Sequence, residues 1–263
     1  MLALPLVLYA LPALGHAAAD AEAQWARIPG DAAFATVLRY EDGDGTVAVR
    51  PFELMTRPVT NADFLAFVTR RPEWRRGDVA PVFAEARYLE HWGGPLRLGA
   101  QARPRQPVTH VSWFAASAYC ESIGARLPTW AEWELAAAAD ETRPDARDDP
   151  AWRERILGWY SKPSSDALPD VGQGTADVHG IHDLHGLVWE WVEDYAAMLV
   201  SADNRQQSDP DRLQFCGAGA LSTEDRGNYP VLMRIAMLSA LEADDTTANL
   251  GFRCARDIEG GTP

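Results

Sequence analysis

Positive charge is what this sequence has least of. Against 38 Asp and Glu stand 24 Lys and Arg, Lys162 being the only lysine, and the formal net charge is -14. A surface of that sign repels phosphate backbones and anionic lipid, which excludes electrostatic binding of nucleic acid. Long apolar runs are also missing beyond the first residues, so no membrane span is expected. Cysteine is scarce at three residues, and no internal repeat or low-complexity tract interrupts the chain. Three cysteines in an oxidising compartment leave one unpaired if a disulfide forms, and three buried thiols if none does.

What is present is a large stock of core material. Of 263 residues 47% are hydrophobic and ten are Trp, enough for one large domain held by aromatic packing. Residues 1–19 are apolar and end in small residues, with Ala17 and Ala19 placed as in a signal-peptidase site. Cleavage there leaves a domain over 20–263, exported to a periplasm or secreted.

Local signals predict short elements. An Asp-Gly turn within 41–45, flanked by AFATVLRY and TVAVRPFELM, predicts a β-hairpin. Thr60 caps a helix carrying Phe64, Leu65, Phe67 and Val68 at helical spacing. WFAASAYCESIG predicts a second helix ended by Gly124, and Thr129 with Glu132 forms the capping box of a third. Residues 140–178 read as a long surface excursion, 179–195 as strand, and the last third as short strands.

Five ordered segments carry a resemblance. They are RPVTNADFLAFV (57–68), QPVTHVSWFAASAYC (106–120), ARLPTWAEWELAAAA (125–139), GIHDLHGLVWEWVEDY (180–195) and NLGFRCAR (249–256). Together they resemble the sulfatase-modifying factor, or formylglycine-generating enzyme, superfamily. The resemblance implies a compact α+β fold related to C-type lectins, with short strands, few helices and much irregular loop. It also implies a disulfide between Cys120 and Cys254, leaving Cys216 unpaired.

Catalytic members resemble one another in a loop GGSFLCxxSYCxRYR, whose two cysteines bind copper and, with oxygen, oxidise a substrate cysteine to formylglycine. GAGALSTEDRGNYPVLMR (217–234) stands in that place and has no cysteine, with Pro230 where the second would be. Loss of two thiolates removes the ligand set for soft Cu(I), so formylglycine synthesis is not expected. FCGAGA, NYPVLMRIAMLSAL and TTANLGFRCAR further resemble accessory proteins associated with copper nitrite reductases. That resemblance implies a maturation or binding accessory with a periplasmic protein partner, such as a copper oxidoreductase.

Two metal sites follow as expectations. Cys216, Met233 and Met237 form a candidate soft copper set, set against the reading of both methionines as core filling. The GNVWEW-like loop of the family implies calcium on the Asp183 and Glu190 carboxylates and the Gly186 and Val188 carbonyls. His179, His182 and His185 form HxxHxxH, a spacing that invites zinc or copper, although Gly180 and Gly186 prevent a regular helix from aligning the rings. The enzymatic alternative is an oxygen- and metal-dependent oxidase of a peptide side chain using other ligands; a structural or sugar-binding module is the third reading.

Overall fold

The computed structural model describes residues 25–36, 46–161, 167–195 and 229–258. The expected leader at 1–19, Cys216 and residues 217–228 of the cysteine-less loop lie outside them.

The N-terminal region builds small antiparallel sheets from β1 (Trp25–Ile28), β2 (Asp31–Ala35), β3 (Thr46–Val49) and β4 (Phe52–Met55). β2 pairs with β3 across the predicted turn, with a register shift between Asp31 and Phe34. FELM does not continue that hairpin. It forms β4, which lies between β1 and the C-terminal β7 (Ala255–Asp257). The two ends of the described domain are therefore hydrogen-bonded into one sheet.

The helices start where local chemistry places them. In α1 (Asn61–Arg70) Thr60 and Asp63 close a capping box. Ser112 caps α2 (Trp113–Ser122), and Thr129 with Glu132 closes the box of α3 (Trp130–Ala137). Gly124 lies just past α2 with φ 71°, the left-handed value a helix terminator takes.

Two helices were not expected. α4 (Pro150–Tyr160) falls inside the predicted surface excursion, capped by Asp149, with Pro150 in its first turn. α5 (Tyr229–Ser239) replaces strand in the last third. Strand is also too strong a reading for 179–195, where only β5 (Trp189–Glu190) is extended, paired in parallel with β6 (Leu250–Gly251). Gly251 is required there, because a Cβ would stand 2.6 Å from the Val108 carbonyl oxygen.

One core joins these pieces. Phe64 stacks on Tyr119 at 5.9 Å, and the Phe252 ring meets both edge-on at 6.1 and 5.4 Å. Trp191 is fully buried and its indole N–H donates to the Val111 carbonyl at 2.9 Å. Beside this cluster Cys120, at the end of α2, is bonded to Cys254, just before β7, with 5.6 Å between Cα atoms. Both are wholly buried.

The bridge spans 134 residues, for which the chain-entropy relation gives about 5 kcal/mol. Cys120→Ser is expected to lower stability by about 2–5 kcal/mol in denaturant titrations. Alkylation of unreduced native protein should label Cys216 alone; labelling at Cys120 or Cys254 would contradict the bridge.

Candidate functional site

The segment 180–195 and the start of α5 meet around a buried charge network. Glu190 and Arg253 are both without solvent exposure, and the Arg253 Nη2 lies 2.8 Å from Glu190 Oε1. Arg253 Nε donates to both carboxylate oxygens, at 3.0 and 2.9 Å, and the Trp133 indole N–H donates to Oε2 at 2.9 Å. The remaining donors of Arg253 reach the Met55 carbonyl at 3.1 Å and the His182 carbonyl at 2.9 Å. Strand β4, helix α3, the turn at 182 and strand β5 are thus tied to one ion pair.

A second guanidinium joins it from α5. Arg234 is 1% exposed and lies 3.7 Å over the Trp133 ring. Its Nη2 donates to the Glu190 carbonyl oxygen, while its Nε has no partner. Burial lowers its pKa to about 10, Glu190 acting the other way, so it remains charged at neutral pH. Two buried guanidinium groups therefore converge on Glu190, Arg253 on its carboxylate and Arg234 on its carbonyl.

On the outer side of β5 stands an aromatic trio. The Trp189 ring lies 5.6 Å from that of Trp159 and 5.1 Å from that of Tyr160, all three half-buried. Trp159 and Tyr160 come from α4, a helix that the sequence reading did not foresee. Asp149 followed by Pro150 was the signal for it: an N-cap acceptor, then a residue whose missing N–H costs nothing in the first turn.

Beneath the segment runs a cleft of ≈ 120 Å³, lined among others by Asp177, Asp183, His185, Asp140 and Trp152. The His185 Nε2 lies 2.8 Å from the Ala137 carbonyl oxygen, which can only accept. The proton therefore sits on Nε2, and Nδ1 is a bare buried acceptor. Burial holds this ring neutral, its pKa pushed down to about 4. Burial also raises the Asp177 carboxyl above its usual range, against the opposing backbone N–H groups of Ile181 and His179.

The residues expected to hold metals are placed as follows. Asp183 takes φ 61°, and its Oδ2 accepts from the Gly172 N–H at 2.5 Å. Of the residues expected to bind calcium, Glu190 accepts from Arg253 and from the Trp133 indole in this structure. Of the copper set, Met237 packs against the hydrophobic core and Met233, one turn earlier, is 37% exposed. His182 bonds the Gly174 carbonyl while His185 bonds that of Ala137, so those two histidines serve different neighbours. Among the described residues no group of three His, Cys, Asp or Glu side chains is arranged to hold a metal ion.

Comparison with known proteins agrees with this architecture. The model of the sulfatase-modifying factor enzyme 1-like domain matches residues 17–258. The chain belongs to the sulfatase-modifying factor family. Its α+β fold, with small sheets and much loop, is the fold of that family. The formylglycine-generating enzyme of Streptomyces coelicolor is 32% identical over 263 residues, covering 81% of each chain. The inactive C-alpha-formylglycine-generating enzyme 2 of Mus musculus is 30% identical over 254 residues, covering 81% of this chain and 79% of its own. Among solved structures, PvdO from Pseudomonas aeruginosa aligns over 89% of this chain and 94% of its own, at 19% identity and a TM-score of 0.47. CarF aligns over 90% and 98%, at 17% identity and a TM-score of 0.45.

In this family member Glu190 holds the domain together. Glu190→Gln, which strands a buried guanidinium, is expected to cost about 3–5 kcal/mol. The loss should be equal in calcium and in chelator. A loss seen only in calcium, read from melting curves, would restore Glu190 as a ligand.

Proposed function

We propose that this chain is an exported formylglycine-generating-enzyme-like protein that does not make formylglycine. It serves as a maturation or binding accessory of a periplasmic or secreted partner protein, the candidate class being a copper oxidoreductase. The observation that carries the negative half is the cysteine accounting. The family reaction draws on two thiolates, whereas Cys120 and Cys254 are bonded to each other inside the core. Cys216 is then the only thiol in the chain. Hard carboxylates such as Glu224 and Asp225 are poor substitutes for thiolate on Cu(I).

The positive half is supported by three features. The fold keeps a buried charge network and a disulfide without the two cysteines of the family loop, so a rigid scaffold is present for another use. The half-exposed trio Trp159, Tyr160 and Trp189 supplies rigid aromatic contact area of the kind that anchors protein partners. A relative named as inactive belongs to the same family. A copper site on Cys216, Met233 and Met237 belongs to this proposal, with Met233 exposed and so the accessible thioether.

Incubation of a sulfatase-type cysteine peptide with the protein, copper and oxygen is expected to leave the peptide thiol unchanged by mass spectrometry. Turnover that survives Cys216→Ala would favour the alternative, an oxygen- and metal-dependent oxidase using another site. For the accessory role, protein isolated from its native compartment should co-purify with a copper oxidoreductase. Trp189→Ala should weaken that association by about tenfold or more, the range of an aromatic anchor.

A further inference from the structure

Away from this site, three segments cross at a pair of histidines. Leu89 and His110 both have left-handed backbone, with φ 49° and 53°, and the Leu89 N–H donates to the His110 carbonyl at 2.9 Å. Leu89 is poorly suited to that conformation, because its Cβ crowds the backbone there, whereas histidine enters it more readily. The His110 N–H donates in turn to the Thr247 carbonyl at 2.9 Å, and the Glu85 N–H to that of Asp244 at 3.0 Å. Glu85 also accepts from the N–H and hydroxyl of Thr246, at 2.8 and 2.9 Å. The turn 85–92 is thereby latched onto 108–113 and 243–247.

The rings at the crossing have no hydrogen bonds of their own. The His91 and His110 centroids are 4.8 Å apart with their planes at 36°. Both nitrogens of His91 and Nδ1 of His110 are buried without a partner. Buried polar atoms are almost always satisfied, so three orphans in one contact call for an explanation. The charged groups around them are few. Arg76, whose Nη1 donates to the Trp92 carbonyl at 2.5 Å, opposes a proton on His91. Arg87 opposes one on His110, whereas Glu90 and Glu85 favour it. From 243–247 Asp245 acts on Arg87. Glu90 Oε1 lies 3.6 Å from His110 Nδ1, too far for a hydrogen bond to the neutral ring.

We propose that His91 and His110 form an acid-sensitive latch, which holds the turn 85–92 closed while both rings are neutral and releases it when either takes a proton. A proton on His91 has no acceptor, and it repels a proton on a ring 4.8 Å away. A proton on His110 is opposed by burial and by Arg87, which Glu90 and Glu85 offset only in part. Release frees two left-handed residues and hydrates the orphaned nitrogens; against it stand the crossing hydrogen bonds and the burial of Tyr88, Leu89 and Trp92 in the core. The turn also lines a cavity with Arg76, Val79 and Ala84, which opening would reshape.

The sign follows from proton binding. Burial, with His110 and Arg76 adding to it, holds the His91 pKa near 4 in the closed state against 6.5 for a free ring. The open state binds more protons, so closure is undiminished above pH 6.5 and weakens progressively from there down to about pH 4. With His91 alone, opening should rise roughly 30-fold between pH 7.5 and 5.0.

Amide hydrogen exchange of the full chain, corrected for intrinsic exchange rates, reads this directly. Protection at Glu85, Leu89 and His110 should fall roughly 30-fold from pH 7.5 to 5.0, while amides within α1 keep theirs. His91→Phe preserves ring volume and loses no hydrogen bond; it should keep protection at pH 7.5 and cut the acid loss to less than a third. Glu90→Gln removes the group that favours a proton on closed His110, so it should enlarge the acid loss. Protection independent of pH in the wild type overturns the latch, as does an acid loss retained in full by His91→Phe. A Glu90→Gln effect equal at both pH values would also overturn it, by showing a merely structural role.

Discussion

The ion pair of Glu190 and Arg253 is the constraint on which the rest of the structure depends. Two charges without solvent exposure carry a desolvation cost of several kcal/mol each, which their attraction offsets only when every remaining donor and acceptor is met. Here they are met, and the way they are met sets the architecture. Arg253 takes the Met55 carbonyl from β4 and the His182 carbonyl from the turn, while Trp133 brings α3 to the carboxylate. A small displacement of any of these pieces would leave a buried charge unsatisfied. Short elements that could not hold their positions by regular pairing are thus fixed through one point.

The same network joins the C-terminal segment to the core at a second point. The ion pair enters from Arg253 to the β5 side and the disulfide from Cys254 to α2, so the NLGFRCAR segment binds the core twice within two residues. None of these bonds involves residues 217–228. Family membership speaks for the frame, and function for the site built on it.

Much of that frame could be read in the sequence because its signals are local. Thr60 marked the start of α1, and Thr129 with Glu132 three positions on marked that of α3. Gly124 marked the end of α2. The failures have local causes too. Asp149 and Pro150 were lost in a stretch read by its charge and its later Ser and Gly content, and α5 was taken for strand because its neighbours are rich in Gly and Asn. The site was less legible. Glu190 and Arg253 are 63 residues apart, and nothing in either segment shows that the carboxylate is committed to an arginine. A family pattern with calcium at that position points the other way, and the pairing became visible only with the chain folded.

A contrast in polar satisfaction runs through the molecule. Around Glu190 the donors exceed what one carboxylate needs, and around His91 and His110 the acceptors and donors have nothing. Arg234 belongs to both patterns, with Nη2 on the Glu190 carbonyl and Nε without a partner. Its charge is held in place by the face of Trp133, a contact that desolvation strengthens but that offers no hydrogen bond. A buried guanidinium stacked on one ring and held by one carbonyl tolerates a change in what approaches its free nitrogen far better than Arg253 does. The helix that carries it is also the one that follows the cysteine-less loop. Among the described residues Arg234 is thus the less committed of the two buried guanidinium groups, while the fully committed pair of Glu190 and Arg253 keeps the fold.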